Sequence, residues 1–170
     1  MGLDMYLTAR KYISGWKHNG PGADKLFKQI LEAAKVPYGF VDQGAPSGNL
    51  EFHIGYWRKA NAIHNWFVQN VQDGKDECQK ADVSLEQLLT LKEVCENILK
   101  LKGDMEKMKV LAQETLPPRA GFFFGSTDVD QWYLRDLEQT IAIIERCEKL
   151  AATPKEKGSY SWDFTYQSSW

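Results

Sequence analysis

The sequence lacks most of the features that assign a chain to a familiar class. It has only three cysteines, Cys78, Cys95 and Cys147, which form no CxxC pair and no zinc-ligand spacing. An odd number of widely spaced cysteines argues against a disulfide framework and favours a reduced setting. The chain starts without a basic leader followed by an apolar run, and no apolar stretch approaches the roughly 20 residues of a membrane span. We therefore expect a cytoplasmic protein that makes no membrane contact.

Complete catalytic and cofactor motifs are also lacking. The chain has no GxSxG nucleophile turn, no HExxH zinc motif, no GxxxxGK[ST] phosphate loop and no glycine-rich dinucleotide turn. Its formal net charge of −2 provides no excess of positive charge for general nucleic-acid binding. The sequence thus supports no metal, no cofactor and no set of catalytic residues, and a non-enzymatic role is favoured over catalysis.

Aromatic residues, by contrast, are abundant, and one segment is especially rich in them. Residues 56–71, YWRKANAIHNWFVQNV, hold two Trp, one Tyr and one Phe. At about 100° per residue, this segment predicts one amphipathic helix. One edge and the adjoining back of that helix would carry side chains suited to a planar anionic ligand. These candidate ligand-binding residues are Trp57, Arg58, Asn61, His64 and Asn65. The plainer alternative is a core helix with a hydrogen-bonded histidine and a solvated polar back.

A second unusual segment is GFFFGST at residues 121–127, where three Phe stand between two glycines. Thr127 and Asp130 match a capping pattern, which predicts that a long helix begins near residue 128. The free N–H groups at a helix start attract anions, so we predict an anion site at this turn. Its candidate residues are Arg119, Phe124, Ser126 and Thr127. The alternative is that Thr127 only caps the helix and the Phe rings fill the core.

The remaining patterns predict a single α+β domain spanning residues 1–170. Residues 3–10, 50–55 and 159–168 alternate with period two, which indicates an N-terminal strand, a middle strand and a C-terminal strand of a small antiparallel sheet. Helical spacing predicts four to five helices packed on that sheet, at about residues 24–36, 56–71, 84–101, 105–115 and 128–151, with Asp24 and Ser84 as N-caps. Residues 15–22, 37–49 and 73–82 are predicted to be turns or surface loops.

Three segments, MGLDMYL, YWRKANAIHNWFV and LPPRAGFFFGST, together resemble a family of small proteins found in bacteriophages and bacteria. The segments are long and rich in rare residues, and the resemblance touches nearly the whole chain outside residues 15–49. It implies a phage-type context, in the host cytoplasm if the protein is phage-encoded, with a role in host physiology or defence. It implies no chemistry, because no activity is established for the family.

Three functions follow from these patterns as hypotheses. The first is binding of a small anionic ligand, nucleotide-like or phosphorylated, with aromatic rings stacked on its base. The second is an inhibitor or adaptor that binds a host protein, or a second copy of itself in a homodimer, through an edge formed by the aromatic C-terminal strand. The third is a hydrolase-type enzyme that uses His53 or His64 as a base, oriented by Asp4 or Asp163.

Overall fold

A computed structural model describes residues 2–14, 27, 29–35, 47–153 and 160–170. These residues form a four-stranded antiparallel sheet with helices packed against it, which confirms the predicted α+β class. The strands are β1 (Asp4–Ser14), β2 (Ser47–Arg58), β3 (Ala81–Val83) and β4 (Asp163–Ser169). Their spatial order is β2-β1-β4-β3.

The C-terminal strand pairs antiparallel with the N-terminal one, as predicted. Within β4, Ser168 lies opposite Met5 and Phe164 lies opposite Ala9 of β1. On its other side β4 pairs with β3. The hypothesis that the C-terminal strand is a free sheet edge is therefore wrong, because both of its sides are already occupied by neighbouring strands.

Five helices lie in the described part of the chain. They are α1 (residues 29–33), α2 (Asn61–Asn70), α3 (Leu85–Lys100), α4 (Met105–Thr115) and α5 (Gln131–Ala151). The predicted capping box of Ser84 with Gln87 is confirmed at the start of α3. None of these helices combines the length and apolar character needed to cross a membrane.

The core lies between the sheet and the helices. Along β1, Leu3, Met5, Leu7 and Ala9 are completely buried on the helix side, as the period-two pattern predicted. Gly55 lets α5 approach the sheet closely, since a Cβ at this position would lie only 2.5 Å from Cγ2 of Ile143. The sheet and α2 are joined by parallel stacking of the Phe67 and Tyr166 rings, whose centroids are 3.9 Å apart.

The prediction of one helix over residues 56–71 is wrong in its first third. Tyr56, Trp57 and Arg58 belong to β2, where their backbone pairs with Tyr6, Met5 and Asp4. The chain then turns at Lys59, which has a positive φ of 61°, and α2 begins at Asn61. Pairing with β1 satisfies the backbone groups of residues 56–58 that face β1, and Gln139 donates to the outward carbonyl of Tyr56, so this segment is stable as a strand.

Other predicted boundaries also change. Residues 47–49 belong to β2 rather than to a loop, and the segment predicted as a surface loop at 73–82 ends in β3. The long helix begins at Gln131 and is capped by Asp130, not by Thr127, since the Asp130 carboxylate accepts from the backbone N–H of Trp132 and Tyr133. The predicted turn at 15–22, the N-cap at Asp24 and most of the loop at 37–49 lie outside the described residues.

One edge of the sheet, β2, is covered by side chains of α5. Nε2 of Gln139 donates to the carbonyl oxygen of Tyr56 at 2.6 Å, and Nη1 of Arg146 donates to that of Ile54 at 2.9 Å. These two backbone acceptors of the edge strand are therefore satisfied within the chain.

Candidate functional site

The two aromatic segments meet in the structure, and Asn61 joins them. Nδ2 of Asn61 donates to the carbonyl oxygens of Phe124 and Ser126, at 3.0 Å and 2.7 Å. Its Oδ1 accepts from the backbone N–H of Arg119 at 3.1 Å. Asn61 is itself buried. One amide at the start of α2 thus fixes the whole turn from residue 119 to residue 126.

Several of the predicted ligand-binding residues do not face a cavity. Trp57 is buried, and its Nε1 donates to Oγ1 of Thr140 at 2.9 Å. Asn65 makes a long hydrogen bond of 3.5 Å to the carbonyl oxygen of Pro117. Thr127 is exposed, but it lines neither of the two cavities that flank the turn of residues 119–126, one on each side. The predicted side-by-side arrangement of Trp57, Asn61 and His64 fails because Trp57 lies on a strand and not on the helix.

His64 is the centre of a buried polar cluster. It is fully buried, with Nδ1 2.8 Å from the hydroxyl of Tyr166 and Nε2 3.1 Å from Oδ2 of Asp76. A carboxylate only accepts hydrogen bonds, so we assign the imidazole proton to Nε2, and the Tyr166 hydroxyl then donates to Nδ1. Burial lowers the pKa of His64, an effect that Asp76 opposes. His64 is therefore neutral at pH 7.

Asp76 holds this cluster together. Its Oδ1 accepts from Nε1 of Trp170 at 3.1 Å, and its Oδ2 lies 3.5 Å from Nη1 of Arg119. Together with the bond from His64, these contacts connect α2, the loop after it, the segment before α5 and the end of β4. The Asp76 side chain is only 11% exposed, so solvent screens these interactions weakly.

Beside Asp76 lies a groove of about 460 Å³, which we call the aromatic groove; it is lined by Asp76, Trp170 and residues 119–124. Phe122 is 93% exposed there and Trp170 is 45% exposed. The rings of Phe122 and Phe123 contact each other edge to face, with centroids 4.6 Å apart. The side chain of Arg119 is 37% exposed at the same place, although its Nη1 is buried. The groove thus presents aromatic rings, one cation and the mostly buried carboxylate of Asp76.

A smaller cavity of about 230 Å³, which we call the acidic cavity, lies on the other side of the turn. It contains three predicted ligand-binding residues, Arg58, Asn61 and Ser126. The rest of its lining consists of Lys59, Ala62, Gly125, Trp132, Tyr133 and the carboxyl groups of Asp128, Asp130 and Asp136. Three carboxyl groups beside two cations make this cavity unfavourable for the anion that we predicted here.

One carboxyl group of the acidic cavity has a strongly altered acidity. Burial, with a smaller contribution from repulsion by Asp130, raises the pKa of Asp136 to about 7. At a pH below about 3.9, the pKa of this group in the unfolded chain, Asp136 is protonated in both the folded and the unfolded protein and does not lower the free energy of unfolding. Between that pH and about pH 7, the carboxyl group ionises in the unfolded chain but stays mostly neutral in the folded protein. The free energy of unfolding therefore falls as the pH rises through this range.

We therefore expect Asp136→Asn to raise the free energy of unfolding by more than about 1 kcal/mol near pH 8, and to give no gain near pH 4. Urea denaturation at the two pH values measures this difference. Asp128→Asn is the matched control, since Asp128 is exposed and accepts a hydrogen bond from Ser126 at 2.9 Å. An equal gain at both pH values would contradict the ionisation of Asp136 as the cause.

The histidine and carboxylate pairs predicted for catalysis are not formed. Nδ1 of His53 lies 3.1 Å from the hydroxyl of Thr8. Asp4 instead accepts from the Tyr56 hydroxyl and lies 3.6 Å from Arg58. Asp163 lines a cavity of about 800 Å³, and neither His53 nor His64 is among the lining residues of that cavity. The carboxylate beside His64 is Asp76.

Sequence reasoning missed the importance of Asp76, Phe122 and Trp170. Asp76 stands in a polar segment that looks like any solvated loop, and its partner His64 is twelve residues away in the chain. The only local signal is the strand that follows the loop, which returns the chain to the sheet beside β4. Among the described residues, no group of three His, Cys, Asp or Glu side chains is placed to hold a metal ion.

Comparisons of the chain with protein-family models, with curated proteins and with solved structures gave no match.

Proposed function

We propose that the protein binds a small ligand that combines a planar ring with an anionic group, such as a nucleotide or another phosphorylated aromatic compound, in the aromatic groove. The observation that carries this proposal is the almost completely exposed Phe122 ring beside the partly exposed Arg119 side chain. A phenyl ring left in water forgoes roughly 1.5–3 kcal/mol of burial. A ligand that covers the ring recovers that free energy.

The position of Arg119 supports recognition of an anion. Asp76 and the backbone bond to Asn61 hold Arg119 in place from the interior side. Nη1, which faces Asp76, is buried and makes no hydrogen bond within the described residues, whereas the Arg119 side chain as a whole is 37% exposed, so its exposed part can donate to a phosphate or carboxylate. Both oxygens of Asp76, which also lines the groove, already receive hydrogen bonds from His64 and Trp170, and these bonds stabilise its charge.

The rings of the groove support recognition of a planar group. Phe122 and Trp170 present exposed aromatic surface, and stacking on such rings is worth about 1–3 kcal/mol per base in nucleic-acid complexes. A volume of about 460 Å³ is in the range of small-molecule sites. The phage-type context, with a ligand or a host process as its target, stays part of this proposal and rests on the resemblance alone.

A host-protein partner is the second candidate, and one observation favours it. Trp132 is 70% exposed, and the Arg135 guanidinium lies 5.8 Å from the centroid of its indole ring. Exposed Trp and Arg side chains are typical anchors of protein interfaces. An adaptor would use this pair together with Phe122. Such a protein would bind neither adenosine monophosphate nor a naphthalene sulfonate.

We expect adenosine monophosphate or a naphthalene sulfonate to bind, and Arg119→Met to weaken binding by about tenfold to a hundredfold, since a hydrogen bond to a charged group contributes roughly 1.5–3 kcal/mol. Phe122→Ser is expected to weaken binding through lost stacking, and its exposed position leaves folding intact. Isothermal calorimetry measures both effects.

Arg58→Met is the matched control, because Arg58 is an exposed arginine that lines the acidic cavity and not the groove. The affinity of the Arg58→Met variant for either probe should equal that of the native protein. If neither probe binds, or if the Arg119 and Phe122 variants bind as well as the native protein, the proposed function is incorrect.

A further inference from the structure

Arg119 and His64 share one oxygen atom of Asp76. Oδ2 lies 3.1 Å from Nε2 of His64 and 3.5 Å from Nη1 of Arg119, while Oδ1 is occupied by the indole N–H of Trp170. The cation that faces the groove is therefore linked through a single atom to an imidazole that has no contact with solvent. A change of charge at Arg119 acts directly on His64.

Among the described residues, two charges act on His64 at close range. The groups that face it are Asp76 from the loop after α2, Arg119 from the segment before α5, and Tyr166 from β4, with the ring of Phe124 edge-on at 5.2 Å. Burial raises the pKa of Tyr166 well above its ordinary value, so this hydroxyl stays neutral. With a neutral His64, the charges of Asp76 and Arg119 balance.

The inference that follows rests on the proposed function, which supplies the anionic ligand. We propose that the anion bound by Arg119 enters the aromatic groove together with one proton, and that His64 is the group that takes up this proton. The anion pairs with the guanidinium and leaves the charge of Asp76 unbalanced beside the imidazole. Protonation of His64 restores the balance within the buried cluster.

The hydrogen bonds around His64 permit this uptake. A protonated imidazole donates from both nitrogens, so Nε2 keeps its bond to Asp76 and Nδ1 donates to the hydroxyl oxygen of Tyr166. The Tyr166 hydroxyl proton then needs a new acceptor. The hydroxyl of Ser168 is buried beside Tyr166 and otherwise has no hydrogen-bond partner within the described residues, so it provides one.

The direction of the pH dependence follows from the groups around His64. Burial, and to a smaller degree the charge of Arg119, lower the pKa of His64, whereas Asp76 raises it. An anion on Arg119 cancels the contribution of that charge, so the pKa of His64 is higher in the complex than in the free protein. Ligand affinity therefore increases as the pH falls, by at most about tenfold per pH unit for one proton.

The test uses naphthalene sulfonate, whose anionic group does not titrate between about pH 5 and pH 8, so that every proton taken up belongs to the protein. Calorimetry in two buffers of different ionisation enthalpy gives the number of protons. We expect uptake of up to one proton, its loss in His64→Gln with binding retained, and its persistence in the control His53→Gln. Should His64→Gln fail to fold, the ¹⁵N shifts of His64 in the native protein, titrated with and without the probe, replace it.

Binding without proton uptake, uptake that persists in His64→Gln, or a His64 titration that the probe does not move would each overturn the coupling and leave the proposed function standing. Absence of any binding would overturn both.

Discussion

Replacing Asp76 with alanine is expected to lower the free energy of unfolding by about 3 kcal/mol. The substitution leaves the N–H of the fully buried His64 without an acceptor and removes the partners of Arg119 and Trp170. Each unsatisfied buried donor costs roughly 1–3 kcal/mol, and the half-exposed Arg119 recovers part of its loss by hydration. Urea denaturation followed by circular dichroism measures the difference.

Two further variants separate the role of Asp76 from a general effect of the loop. Glu77→Ala removes the neighbouring exposed carboxylate and should change stability by less than about 0.5 kcal/mol. Asp76→Asn keeps one acceptor for Trp170 but offers His64 an N–H in place of an oxygen, so an intermediate loss is expected. A loss below about 1 kcal/mol in Asp76→Ala would mean that the cluster does not stabilise the fold.

The second large effect is expected from Asn61→Ala, at about 3 kcal/mol of destabilisation. This change removes three hydrogen bonds at once and leaves the carbonyl of Phe124, the carbonyl of Ser126 and the N–H of Arg119 without their partner. The turn that carries the groove residues would lose its anchor on α2. We therefore also expect ligand affinity to fall, although Asn61 does not line the aromatic groove.

Asn65→Ala is the matched control, since it removes the same side chain one helical turn later on α2. Asn65 makes only a 3.5 Å hydrogen bond to Pro117, so its loss should cost less than about 1 kcal/mol. Chemical denaturation of the two variants side by side gives the comparison. If the two alanine variants were equally stable, Asn61 would not be the anchor of the turn.

The fold was largely accessible from periodicity. Alternation identified the core side of β1, apolar spacing identified α3 and α4, and the Ser84 cap marked the start of α3. The failure at residues 56–58 has a physical cause. Three residues of alternation are too short to distinguish a strand from the first turn of an amphipathic helix. The decision depends on pairing with residues 50 to 54 positions away in the chain.

The candidate site was accessible only in part. The sequence singled out the start of α2 and the GFFFGST segment separately, and in the structure Asn61 joins them through its hydrogen bonds to Phe124 and to Arg119. It did not indicate that the turn separates two surfaces of different charge. That outcome depends on Asp76 and Asp136, which come from segments whose local pattern gives no direction to their side chains.

The side chains of Gln139 and Arg146 have a consequence beyond the folding of a single molecule. A long strand at the border of a sheet is a template on which other molecules add strands and grow into fibrils. Because these two side chains donate to the carbonyls of Tyr56 and Ile54, a strand of another molecule must first displace these two hydrogen bonds before it can pair there. Through these bonds α5, which also packs in the core, disfavours self-association of the protein at this part of β2 at high concentration.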